Sequence, residues 1–61
     1  MLDEQLENEL RMREDFVASQ VLLAAEANRS GDSTAADRYL QVIAAQRREI
    51  DDIKRLLRRI P

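Results

Sequence analysis

Cysteine, histidine and tryptophan are absent from this chain of 61 residues, and glycine, proline, phenylalanine and tyrosine occur once each. Without Cys or His there is no zinc-finger ligand set, no thiol nucleophile and no imidazole for acid–base chemistry. A single glycine and a single proline exclude the closely spaced turns of a sandwich or barrel. The longest strictly apolar run, Val21 to Ala25, is far below the roughly 20 residues that a membrane-spanning helix needs. Met1-Leu2-Asp3-Glu4 is acidic, unlike a signal or transit peptide. The lack of disulfides fits a cytoplasmic setting slightly better than an oxidising one.

What the chain does have is charged and apolar side chains, 36% and 44% of its residues respectively, a profile of coiled coils and long helices. So short a chain builds only a marginal core, so a partner or oligomerisation is expected. Residues 1–30 carry seven acids and three Arg, whereas residues 31–61 carry five acids and seven bases. Arg47, Arg48, Lys54, Arg55, Arg58 and Arg59 crowd the last fifteen positions, but Glu49, Asp51 and Asp52 interleave them. Mixed signs of this kind do not favour a nucleic-acid tract. Nor do they favour a lipid-surface helix over 47–60, where the apolar residues follow a narrow seam.

That seam dominates the second half. Ala36, Tyr39, Ile43, Gln46, Ile50, Ile53, Leu57 and Ile60 recur at alternating steps of three and four, with Gln46 alone interrupting the apolar series. One helix cannot bury such a seam by itself. The only breaker cluster, Asn28-Arg29-Ser30-Gly31-Asp32-Ser33, lies near the midpoint. Gly31 suits the left-handed position that closes a helix, Asp32 or Ser33 can cap the next, and Thr34 with Asp37 resembles a capping box. Pro61 cannot extend a helix. The expectation is an all-α fold over 1–61, a single two-helix antiparallel coiled-coil hairpin. Its helices span about 2–29 and about 33–60, with the turn at about 30–32.

The first half carries a weaker copy of the register. Leu10, Val17 and Ala24 take a positions, and Leu6, Arg13, Gln20 and Ala27 take d positions. Antiparallel pairing then sets Leu6 against Leu57, Leu10 against Ile53, Val17 against Gln46, Ala24 against Tyr39 and Ala27 against Ala36. Arg13 opposite Ile50 and Gln20 opposite Ile43 are the poor layers, and with Gln46 they are read as setting register. On the e flank the facing pairs are Glu7–Lys54, Glu14–Arg47 and Val21–Leu40, two opposite charges and one apolar pair. On the g flank they are Glu9–Leu56, Phe16–Glu49 and Leu23–Val42, with Leu2 and Met12 nearby. One flank is thus closed by charge, and the other is open and apolar. An exposed apolar strip of that extent signals an interface, with a foreign protein or with a second copy in a four-helix bundle.

Catalysis is not expected. The carboxylate pairs Asp51-Asp52 and Glu14-Asp15 are adjacent on a helix, so their side chains diverge by about 100° and do not converge on one site. No Gly-rich phosphate loop, nucleophile set or metal-ligand spacing occurs, so no cofactor and no metal are expected.

Gln5-Leu6-Glu7-Asn8-Glu9-Leu10-Arg11-Met12-Arg13-Glu14 resembles the first helix of the Rho-effector homology-region-one repeat, found in protein-kinase-C-related kinases and rhotekin. Ile50-Asp51-Asp52-Ile53-Lys54-Arg55-Leu56-Leu57-Arg58-Arg59 looks like the closing helix of the same repeat. Where that family follows Arg-Glu with Gly-Ala, this chain has Asp15-Phe16. Val21 to Leu57, with its Ala-rich helix, Ser30-Gly31-Asp32 turn and Tyr39-Leu40, is similar to the Rab-binding hairpins of rabenosyn-type effectors. Both resemblances imply a helical hairpin that binds a GTP-loaded small GTPase as an effector domain. Met12, Phe16, Leu23, Val42 and Leu56 are then the candidate anchors, with Arg13 and Arg47 on the rim. The alternative is a self-associating coiled-coil scaffold, natural or designed.

Overall fold

Gly31 has a φ of +78°, the single positive value among the described residues. That left-handed residue lets the chain fold back after one helix, at little cost only because it has no Cβ. Around it the Asp32 N–H donates to the Ala27 carbonyl at 2.9 Å and the Gly31 N–H donates to Asn28 at 3.1 Å. These are the two bonds of a Schellman closure. The Asp32 side chain then accepts from the Ala35 N–H at 3.1 Å and caps the second helix. Thr34 lies inside that helix, so the Thr34–Asp37 capping box does not form; Asp32, directly after the glycine, already occupies the capping position.

The computed structural model describes residues 2–60 and shows an all-α helical hairpin: α1 over Leu2–Arg29 and α2 over Ser33–Arg59. There is no strand among the described residues. Asp3 and Glu4 sit in the first turn of α1, and Arg58 and Arg59 in the last turn of α2, where each sign complements the helix dipole. Ile60 ends α2 in extended backbone, with its N–H donating to Leu57. Pro61 lies outside the described residues.

Burial follows the heptads. In α1 the residues withdrawn from solvent are Asp3, Leu6, Leu10, Arg13, Val17, Gln20, Ala24 and Ala27, all at a or d. In α2 they are Ala36, Tyr39, Ile43, Gln46, Ile50, Ile53, Leu57 and Ile60, joined off the seam only by Ala35. Five side chains are buried: Ala24, Ala36, Ile43, Ile50 and Ile53. The core is therefore asymmetric. α2 supplies three isoleucines, each worth about 1.5–3 kcal/mol on full burial, while α1 meets them with Arg13 and Gln20 at two of its seam positions. The result is a rod of 48 × 14 × 10 Å. Its two broad sides are lined one by e residues and the other by g residues.

Candidate functional site

The g face runs the length of the hairpin. Met12, Phe16 and Leu23 come from α1, and Val42 and Leu56 from α2; they remain between 37% and 71% exposed. None is needed to fill the seam, so each is free to contact another molecule. Near the middle, Met12 and Phe16 line a shallow groove of about 360 Å³ together with Glu9, Arg13 and Gln46.

Arg13 stands at the edge of this groove but points its charge inward. Its Nη1 donates to Gln46 Oε1 at 3.0 Å across the hairpin. Its Nη2 and Nε donate to Glu9 Oε1 at 2.8 and 3.2 Å one turn earlier. A guanidinium at a seam position must find acceptors as it leaves water, and Gln46 is the acceptor the opposite helix provides. Arg13 is thus a strut between the helices rather than a free rim charge. No side-chain polar atom is left buried and unpartnered among the described residues.

Arg47, expected on the same rim, lies on the opposite face. There it lines one groove with Val21 and Leu40, and a second of about 390 Å³ with Glu14, Val17, Asp51 and Lys54. The structure therefore brings Met12, Phe16 and Arg13 together. Leu23 and Val42 extend their strip toward the turn, Leu56 extends it toward the open end, and Arg47 is separated from it.

The expected e-flank ion pairs are also shifted. Lys54 Nζ approaches Glu14 Oε2 at 3.9 Å, while Glu7 and Arg47 form no ion pair among the described residues. Helical side chains lean toward their own N-terminus. In an antiparallel hairpin Lys54 leans toward the turn and Glu14 away from it, so they converge, whereas the level pair Glu7 and Lys54 diverges. Both partners of the observed pair are about half exposed, so it adds little stability.

A groove of about 500 Å³, wider than the two above, lies on this e face at the turn end. The α1 wall is Val21, Ala24, Ala25 and Asn28; the α2 wall is Ser33, Ala36, Asp37, Leu40, Ile43 and Arg47. The e flank is closed by charge only toward its open end. Toward the turn, alanines leave a depression beside two exposed aliphatic residues. Ala24, Ala25 and Ala36 carry the sequence signal for it, since small residues on facing helices leave unfilled space.

None of the described helices is long and apolar enough to cross a membrane. No family model, known protein or solved structure matches the chain.

Proposed function

We propose that the chain is a non-catalytic protein-interaction module that docks a protein partner along its g face. One observation carries this. The seam is filled from within the chain, yet Met12, Phe16, Leu23, Val42 and Leu56 stay exposed along one side of a rod. Apolar strips of that length are uncommon on free-standing proteins. The anchors would be Phe16 and Met12 at the central groove, where aromatic and flexible thioether side chains adapt to a partner surface. Glu9, paired with Arg13, borders the strip at the central groove and gives it a polar rim.

The resemblance of residues 5–14 and 50–59 to Rho-effector repeats supplies the partner class to test first, a GTP-loaded small GTPase of the Rho or Rab type. The immobilised chain should retain such GTPases in the GTP-loaded state and release the GDP-loaded state. Equal retention of the two states, or of neither, removes the effector assignment. Phe16→Asp should abolish capture while the far-ultraviolet helical signal stays within about a tenth of the original, because exposed helix positions tolerate substitution. Loss of helix on that change would place Phe16 in the hairpin core and refute the docking face.

A further inference from the structure

The turn-end groove on the e face has a shape that helices recognise. Val21, Ala24, Ala25 and Asn28 stand at i, i+3, i+4 and i+7, the four corners of a hole that accepts one side chain from a facing helix. On α2, Leu40, Ile43, Ala44 and Arg47 have the same spacing and form a second such hole, three of them lining the groove. Each hole needs a knob, and the same face carries two: Val21 and Leu40, at 42% and 54% exposure. We propose that a second copy of the chain packs on the e face, both turns at the same end, with α1 of each copy against α2 of the other.

In that arrangement residues equidistant from Gly31 meet between copies. Leu40, leaning toward its own N-terminus, enters the Val21/Ala24/Ala25/Asn28 hole of its partner. Val21 enters the Leu40/Ile43/Ala44/Arg47 hole, and the two-fold axis repeats both insertions. Away from the turn the outer positions of the face match in sign: Glu4 with Arg58, then Arg11 with Asp51, then Ala18 with Ala44. The polarity reverses between the first two layers, so a shift of two turns would set like charges together. Within one chain these outer residues lie on opposite edges of the face. Neither Arg11 nor Asp51 has an ion pair or side-chain hydrogen bond among the described residues. A second copy is the occupant that gives each its counter-charge. Turning the copy end for end stacks α1 on α1 and takes Glu4 and Arg58 out of contact altogether.

The inference is independent of the g-face assignment, because Phe16 and Met12 stay on the outside of this dimer.

Sedimentation equilibrium of the full chain tests it by charge exchange. Wild type should give a dimer near twice 7.1 kDa. Arg11→Asp alone and Asp51→Arg alone should each weaken dimerisation roughly ten-fold, since two like-charge contacts replace two opposite ones. Mixing the two variants should restore the affinity to within about three-fold of wild type, because every contact in the mixed dimer is again opposite in sign. Leu40→Asp should leave a monomer, and Phe16→Asp should leave the dimer intact. A monomeric wild type at millimolar concentration, or a mixture no tighter than either variant alone, overturns the proposal. Dimers lost on Phe16→Asp and kept on Leu40→Asp would move self-association to the g face and overturn it as well. Failure of GTPase capture affects none of these readouts.

Discussion

Arg13 sits where an aliphatic side chain would bury more surface, and it is kept harmless by three hydrogen bonds to Glu9 and Gln46. The bond to Gln46 gives the hairpin a polar layer that only one alignment of the helices satisfies, which is how a seam polar residue specifies register. Gly31 is the other residue on which the fold turns. Its open surroundings would accommodate a methyl group, with no atom within 4 Å of the position a Cβ would take. The only penalty for Gly31→Ala is therefore the left-handed backbone, and the expected loss is about 1–2 kcal/mol in chemical denaturation. No measurable loss would mean that the turn relaxes to a different closure. Gly31 as the closing residue was legible from sequence, because one glycine in a cluster of polar turn formers has few other uses. The bond from Arg13 to Gln46 was not: both positions read as seam defects, and only the fold puts one within reach of the other.

At the scale of the helix, α2 organises the hairpin. Its seam is apolar except at Gln46, and four of the five buried residues belong to it. Ile50→Ala should destabilise the hairpin by about 2–5 kcal/mol through lost burial and an unfilled space, enough to unfold so small a domain. Leu22→Ala, on the solvent side of α1 at 71% exposure, should change stability by less than about 0.5 kcal/mol. Thermal or urea melts of the two variants check the contrast, and equal losses would refute the assigned seam. The seam of α2 was readable because period-3.5 spacing is a local property of the chain. That of α1 emerged only when its pattern was matched against α2, since Arg13 and Gln20 occupy two of its d positions. The pairing of Lys54 with Glu14 escaped a level-by-level match, because side-chain lean displaces contacts along antiparallel helices.

The whole molecule is a rod whose Cα radius of gyration is 14.2 Å, where a compact fold of this length would have about 10.5 Å. A two-helix layer has no interior beyond its seam, so both broad faces remain available. Partner binding is proposed for one and self-association for the other, which together would make the assembly a bivalent display of two g faces. If folding is coupled to dimerisation, the melting midpoint should fall by about 5 °C for each ten-fold dilution in the micromolar range. A midpoint independent of concentration would show that the hairpin's stability owes nothing to a second copy.

Sequence by itself determined the two helices, the turn at Gly31 and which residues face inward. Heptad spacing, a left-handed glycine and a capping aspartate are properties of short stretches of chain, and they agree with one another here. Tertiary structure alone decided how the faces differ. Whether a flank is open or closed depends on side-chain size and lean across two helices. The alanines beside Val21 and Leu40 therefore open a groove on a face whose charges suggested closure, and Arg47 lies beside it rather than beside Phe16.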